Sequence, residues 1–133
     1  MTDGIIRAQI DGVWSSIRRR LEEKVAEINS NPGGDHLHLD LGNVVGLVNV
    51  WAYDNERKTM YKVGFELAMN TGGLLAWYEE NLTRWPLAVD LVRDKDTLCY
   101  RFEGAIMDIE ALIDRVVERW EKKMSAGLFN QYS

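Results

Sequence analysis

The fold is decided by residues 35–69, which read DHLHLDLGNVVGLVNVWAYDNERKTMYKVGFELAM. Apolar side chains recur at every second position near both ends of this stretch, at Leu37, Leu39, Leu41, Tyr61, Val63, Phe65, Leu67 and Met69. Such a period is typical of strands with one buried face, because successive side chains of a strand point to opposite sides. Gly42-Asn43 predicts a tight hairpin turn and residues 54–58 predict a polar turn, so the stretch predicts a three-stranded antiparallel meander.

Helices are predicted on both sides of this meander. Residues 5–28 carry apolar side chains three or four positions apart, at Ile6, Ile10, Val13, Ile17, Leu21, Val25 and Ile28. That spacing places them on one face of an amphipathic helix. Leu74–Leu82 predicts a short helix of two to three turns. Asp108 is a plausible cap for a last helix that runs to Met124.

Two further strands are predicted between the short helix and the last one, around Leu87–Leu91 and Leu98–Phe102. The predicted order is therefore α-β-β-β-α-β-β-α, in an α+β protein. An antiparallel five-stranded sheet with helices packed on one face buries these apolar stripes. Since 133 residues provide room for one domain, we expect a single domain over residues 1–127 and a C-terminal tail over 128–133.

Composition excludes several classes of protein and partner. The formal net charge is −5 and the sequence pI is near 5.0, which argues against a nucleic-acid surface because phosphate binding needs an excess of Lys and Arg. No apolar run approaches the roughly 20 residues of a membrane span, so no membrane partner is expected. The single Cys99 cannot form an internal disulfide. A reducing compartment, the cytoplasm, is therefore the predicted location.

Residues 44–53 predict a strand that is apolar on both faces, and its register decides which face is buried. If Trp51 pairs with Tyr61, the large side chains point inward and Val48 and Val50 lie outside. That register is preferred because it collects the bulky side chains in one core. It also buries Asn49, which would then need a hydrogen-bond partner.

If Trp51 pairs with Met60 instead, the outer face shows Asn49, Trp51 and Tyr53 beside Lys62. Either register leaves an apolar strip bordered by charges, and such a patch is a candidate protein interface. The predicted partner-binding residues are Val48, Val50, Lys62, Glu66, Arg101 and Trp85. The alternative is a central strand whose second face is covered by the N-terminal helix or the tail.

The five tryptophans divide into two groups. Trp14 and Trp120 fall on or beside apolar helix stripes and are explained by a core. Trp51, Trp77 and Trp85 are not explained in this way. The two-sided strand and these three side chains therefore mark where we expect function to lie.

His36, His38 and Asp40 project from one face of a strand, as the ligands of a metal site would. The chain contains no further His, and one Cys, to complete a tetrahedral set. A solvent-facing strand edge explains the three residues equally well, so no metal and no cofactor are predicted. Cys99 has no base placed near it by sequence, and no catalytic residues are predicted.

The predicted element order, the acidity and the size are similar to those of the small acidic dimeric chaperones of type III secretion, over residues 5–124. This resemblance implies a homodimer whose sheet faces grip an unfolded effector segment. It also implies that the strip around Val48 and Val50 is a hydrophobic groove. Small acidic immunity proteins that neutralise a toxin are similar in size and charge.

The sequence therefore predicts a non-enzymatic protein that binds another protein, an effector or a toxin, or a second copy of itself, through a sheet face. The alternative is a small-molecule-binding protein or an enzyme with a pocket between sheet and helices. That pocket would be lined by Trp51, Tyr61, Trp77 and Asn49.

Overall fold

The computed structural model describes residues 2–31, 36–94 and 97–126. Its elements, in chain order, are α1 Thr2–Asn29, β1 His38–Leu41, β2 Leu47–Asp54, β3 Thr59–Leu67, β4 Leu74–Glu80, β5 Thr83–Leu87, β6 Val89–Asp94, β7 Thr97–Phe102, β8 Ala105–Met107 and α2 Ile109–Ala126. The predicted C-terminal tail, residues 128–133, lies outside the described residues.

The strands form two antiparallel sheets. Strands β1 to β5 make a five-stranded meander in chain order, and β6 to β8 make a three-stranded one. The α+β class and the antiparallel five-stranded sheet are confirmed. Neither helix among the described residues is long and apolar enough to cross a membrane.

The core lies between the two helices and one face of the five-stranded sheet, which we call the inner face. The sheet contributes Val48, Val50, Val63 and Phe65 among others. The helices contribute fully buried side chains at Ile17, Leu21, Leu112, Ile113, Val116 and Trp120. Each such aliphatic side chain stabilises the fold by about 1.5–3 kcal/mol through its removal from water.

Ion pairs fix how the two helices meet. The Arg20 guanidinium donates to both carboxylate oxygens of Asp114, with Nε–Oδ1 at 2.6 Å and Nη2–Oδ2 at 2.8 Å. One turn further along both helices, Lys24 Nζ lies 3.3 Å from Glu118 Oε2. Because both partners advance by four residues together, α1 and α2 run in the same direction along this contact.

The N-terminus of α2 begins at its predicted cap. The Oδ1 atom of Asp108 accepts a hydrogen bond from the Ala111 amide at 2.8 Å, and the Asp108 carbonyl accepts from Leu112. Both contacts satisfy groups at the first turn of the helix, which has no preceding turn to bond with.

The predicted short helix over 74–82 is wrong, because these residues form β4 and the following turn. Leu74, Ala76 and Tyr78 are buried on the inner face, while the residues between them point to the other side. Strand β4 pairs with β3 on one side and with β5 on the other. These pairings override the helix propensity of its Leu, Ala and Glu residues.

The predicted two-residue turn at Gly42-Asn43 is also wrong, since the connection runs from Gly42 to Gly46. Gly46 has a φ of +97°, and a Cβ there would lie 2.4 Å from the Leu67 carbonyl oxygen. This close approach lets the Leu67 amide donate to the Gly46 carbonyl at 2.9 Å. Glycine is required here for both its conformation and its size.

The preferred register of β2 and β3 is wrong. Trp51 pairs with Lys62, and Asp54 pairs with Thr59 across a four-residue loop. The preferred pairing with Tyr61 would need a loop one residue shorter. Asp54 Oδ1 stabilises the longer loop by accepting hydrogen bonds from the amides of Glu56 and Arg57, an arrangement that aspartate favours in turns.

The three-stranded sheet is attached to the β3–β4 connection through Tyr100. This side chain is fully buried, and its hydroxyl donates to the Gly72 carbonyl at 2.7 Å. Burial, with a smaller contribution from neighbouring Cys99, raises the pKa of the Tyr100 hydroxyl to about 12.

Tyr100→Phe should lower the free energy of unfolding at neutral pH by about 1 kcal/mol, because the Gly72 carbonyl loses its donor. Between pH 10 and 12 the unfolded tyrosine ionises while the folded one keeps its proton. Rising pH therefore stabilises the unfolded state of the wild type. The difference in free energy of unfolding between the wild type and Tyr100→Phe should shrink between pH 10 and 12. Urea unfolding at several pH values measures both effects.

Tyr53→Phe is the matched control, since Tyr53 is exposed. Its stability difference from the wild type should stay near zero across the same pH range. A Tyr100→Phe difference that stays constant from pH 10 to 12 would contradict the pKa assignment.

Candidate functional site

The face of the five-stranded sheet that points away from the helices is the candidate functional site, and we call it the outer face. The register brings side chains from all five strands into two lines across it. One line is His38, Trp51, Lys62, Glu79 and Arg84. The other is Asp40, Asn49, Gly64, Trp77 and Pro86. Neither helix packs against this face within the described residues, since both contribute to the core on the inner side.

Trp51 is held in place by two residues of the edge strand β1. The His38 ring stacks on its indole with centroids 4.1 Å apart and planes 21° from parallel. The indole Nε1 donates to Asp40 Oδ2 at 2.7 Å. Because the stacking and the hydrogen bond come from the same strand, the ring is oriented although it is only half-buried.

Trp77 lies flat on the sheet above Gly64. A Cβ at Gly64 would come within 2.2 Å of the Trp77 ring, so glycine leaves the space that the indole fills. The Arg84 guanidinium lies over the ring, 4.4 Å from its centroid. Trp77 is only 7% exposed but does not belong to the core cluster. Gly64 and Arg84, which contact its ring, both lie on the outer face.

A charged group of three crosses the outer face beside Trp77. The Glu79 carboxylate accepts hydrogen bonds from Arg84 Nε at 3.2 Å and Nη2 at 3.1 Å, and Lys62 Nζ lies 4.0 Å from its other oxygen. The Glu79 side chain is 11% exposed, so its negative charge needs these partners. Arg84 therefore both neutralises Glu79 and covers Trp77, which suits a planar guanidinium.

The predicted partner-binding residues lie on different surfaces of the protein. Lys62 and Glu66 lie on the outer face. Val48 and Val50 are 0% exposed on the inner face, so the expectation that they lie outside is wrong. The physical reason is the β2–β3 loop, which places the opposite side of β2 outward.

The other two predicted partner-binding residues lie elsewhere. Arg101 is exposed on the three-stranded sheet, paired with Asp90 on β6. Trp85 packs against the core from the inner side of β5. The predicted contact set therefore does not form one surface.

The predicted pocket residues are also divided by the sheet. Asn49, Trp51 and Trp77 lie on the outer face, whereas Tyr61 is buried on the inner face. These four side chains cannot line a common pocket. Asn49, Trp51 and Trp77 instead share the outer face, where Trp77 is only 7% exposed.

The His-containing group has a packing role in the structure. Asp40 accepts the Trp51 indole N–H, and the His36 and His38 rings meet edge to face at 5.0 Å. No cluster of three or more potential metal ligands occurs among the described residues. Cys99 is half-buried.

Comparison of the chain with protein-family models, curated proteins and solved structures found no match.

The outer-face residues Leu75, Glu79, Arg84 and Pro86 were missed by the sequence analysis. Leu75 and Glu79 lie on β4, which was predicted to be a helix, and Arg84 and Pro86 pair with β4 residues. The signal was present in the alternation of Leu75, Trp77 and Glu79 with Leu74, Ala76 and Tyr78. Recognition of that period would have placed Leu75 and Trp77 on one face.

Gly64→Ala should destabilise the fold by about 1–3 kcal/mol, because the added methyl group displaces the Trp77 ring from its seat. The Trp77 indole N–H resonance should shift as the ring moves relative to Arg84. Urea unfolding and proton–nitrogen NMR spectra measure the two effects.

Gly12→Ala is the control, since no heavy atom lies within 4 Å of a Cβ at this position in α1. It should stabilise the fold by about 0.5–1 kcal/mol, as alanine does in a helix interior. A Gly64→Ala protein with wild-type stability and an unmoved Trp77 signal would show that the ring does not depend on this glycine.

Proposed function

We propose that this protein is a non-enzymatic binding protein that recognises another protein through the outer face of its five-stranded sheet. The observation that carries the proposal is the pair of tryptophans, Trp51 and Trp77, fixed on a sheet face against which neither helix packs. The inner face of the sheet already provides the hydrophobic core. The aromatic rings on the outer face are not needed to form it.

The composition of the outer face supports binding to protein. Trp, Tyr, Met and Arg are enriched at protein interfaces, and Trp, Tyr and Arg dominate their binding energy. The two tryptophans lie on β2 and β4, on either side of the central strand β3, and Arg84 lies on the edge strand β5 over the Trp77 ring. Exposed Asp40 lies on the other edge strand, β1, and exposed Glu66 lies on β3. Exposed Leu75 and Tyr53 extend the apolar area.

Preorganisation of the face also supports the proposal. Binding costs free energy when flexible side chains must be ordered, about 0.5–1.5 kcal/mol for each. The contacts of Trp51 with His38 and Asp40, and of Trp77 with Arg84, order these rings in advance. A partner would therefore meet a face whose largest side chains are already placed.

The partner we propose is an effector or a toxin, which gives this protein a chaperone or immunity-type role in the cytoplasm. The acidic chain, with a net charge of −5, is of the type described for such proteins above. The middle helix of the chaperone-like element order is not formed, so the proposal depends on the outer face and not on that topology. Pairing of two copies through the same face is the competing outcome.

Leu75→Glu tests the proposal, because it places a charge in the exposed apolar part of the face. Leu75 is 65% exposed, so the fold should tolerate the change. The tagged full chain would be captured from cells that produce it, and its partner identified by mass measurement. Affinity for the purified partner should fall about tenfold or more in the variant, as at an interface hot spot.

Ile106→Glu is the matched control, since Ile106 is 55% exposed on the three-stranded sheet. Its affinity should stay within about twofold of the wild type. Equal affinity of the wild type and the Leu75→Glu variant would overturn the proposed face. A dimer in light scattering that dissociates only in Leu75→Glu would identify a second copy as the occupant.

A further inference from the structure

Strand β1 forms one edge of the five-stranded sheet, and β5 forms the other. The edge at β5 contains Pro86, which has no N–H group to donate, and proline is a usual protection against pairing at an edge. Strand β1, with the sequence HLDL, contains no proline. An edge strand with free N–H and C=O groups can pair with a strand of another chain.

The hydrogen-bond pattern shows which backbone groups of β1 point away from β2. The Gly42 amide donates to the Leu47 carbonyl of β2 at 2.8 Å. In an antiparallel pair, residues that bond to the neighbouring strand alternate with residues whose N–H and C=O point away from it. Leu39 and Leu41 therefore direct these groups away from β2. Within the part of the chain that the structure describes, no residue bonds to these four groups.

Asn29, at the end of α1, already binds the same edge two residues earlier. Its Nδ2 donates to the Leu37 carbonyl at 2.9 Å, and its Oδ1 accepts from the Leu37 amide at 2.7 Å. The Asn29 side chain thus bonds to Leu37 as a peptide group of a neighbouring strand would. A strand added at Leu39 and Leu41 would continue this pattern.

Exposed apolar side chains lie at and beside the free edge. Leu41 is 61% exposed, and Val44 and Val45, in the connection to β2, are 57% and 70% exposed. Exposed apolar surface beside an unpaired strand edge favours association with another chain.

Asp40 places a negative charge between Leu39 and Leu41. Its side chain lies on the outer face, where Oδ2 accepts the Trp51 indole N–H. Asp40 is exposed, and no Lys or Arg of the described residues forms an ion pair with it. Because opposite charges on facing residues stabilise a strand pair, a basic side chain suits the position opposite Asp40.

A second copy of the chain fits this edge less well than a different peptide. The antiparallel register that uses both leucines of each copy pairs Leu39 with Leu41, and it places the two Asp40 side chains opposite each other. Like charges in that position destabilise a strand pair. A register that pairs Leu39 with its own copy brings Leu41 to Leu37, whose backbone groups are already bonded to Asn29.

We infer that β1 binds an extended peptide of a partner protein by strand addition, with apolar side chains opposite Leu39 and Leu41 and a basic side chain opposite Asp40. Each leucine would form two backbone hydrogen bonds with the peptide. In this mode the backbone bonds give affinity and the alternate side chains give specificity. The argument uses the edge of the sheet and neither of the outer-face tryptophans as a contact, so it does not depend on the outer-face proposal.

The test uses the peptide acetyl-Thr-Val-Lys-Val-Thr-amide, which places a valine opposite each leucine and the lysine opposite Asp40. It is titrated into the isotope-labelled full chain and followed by proton–nitrogen NMR. At saturation the Leu39 and Leu41 amides should exchange with solvent about tenfold or more slowly, because they gain acceptors. The Asp40 amide points to β2, and its exchange rate should change by less than about twofold.

Two matched peptides separate the backbone contribution from the charge. N-methylation of both valines keeps the side chains but removes two N–H donors, and it should weaken binding about tenfold or more. Glutamate in place of the lysine should weaken binding about fivefold. Asp40→Asn keeps an acceptor for the Trp51 indole and should remove the preference for lysine over glutamate.

Leu41→Pro removes one N–H group of the edge and should weaken binding of the lysine peptide about fivefold or more. Leu41→Ala is the matched control, since it keeps the N–H group, and it should weaken binding less than about threefold. Thermal melts show whether each variant is folded. The comparison of peptides on the wild type needs no variant.

Three results would overturn the inference: unchanged exchange of the Leu39 and Leu41 amides up to the solubility limit of the peptide, equal binding of the N-methylated peptide, and equal binding of the lysine and glutamate peptides by the wild type. A dimer in light scattering that dissociates in Leu41→Pro would identify a second copy as the occupant and would also overturn it. Slow exchange of both amides in the peptide-free monomer would do the same, since the chain itself would then cover the edge.

Discussion

The structure depends on the four-residue loop between β2 and β3. Asp54 accepts two backbone amides in this loop, and Lys58 takes a left-handed conformation with a φ of +52° before β3 begins. The loop length sets the register, and a shift of one residue would exchange the two faces of β2. The same loop therefore decides that Val48 and Val50 enter the core and that Trp51 remains outside it.

The strand period could be read from the sequence, but the pairing could not. Alternation at Leu37–Leu41 and Tyr61–Leu67 predicted β1 and β3 because a half-buried strand repeats every two residues. The register of β2 depends on one additional residue in the loop. The pattern of hydrophobic residues does not reveal the loop length, since both faces of this strand are apolar. The cap at Asp108 was predictable because it acts within one helical turn.

The candidate site was predictable only in part, for the same physical reason. Trp51, Trp77, Lys62, Glu66 and Asn49 were selected from the sequence, and all five lie on the outer face. Their arrangement required the β4 strand, whose Leu, Ala and Glu residues favour a helix in isolation. Hydrogen bonding of β4 to β3 and to β5 outweighed this helix propensity. The sequence does not show directly which strands lie beside β4.

Packing explains why the large ring of Trp51 lies outside. On the inner face β3 already contributes Tyr61 and Phe65, and β2 places the smaller Ala52 and Val48 opposite them under the helices. An indole at either β2 position would overpack a core that has no room for it. The outer face consequently receives the excess aromatic surface, and contacts with His38, Asp40 and Arg84 hold it in order. The sheet therefore separates two sets of side chains, one that builds the core under the helices and one that forms the outer face.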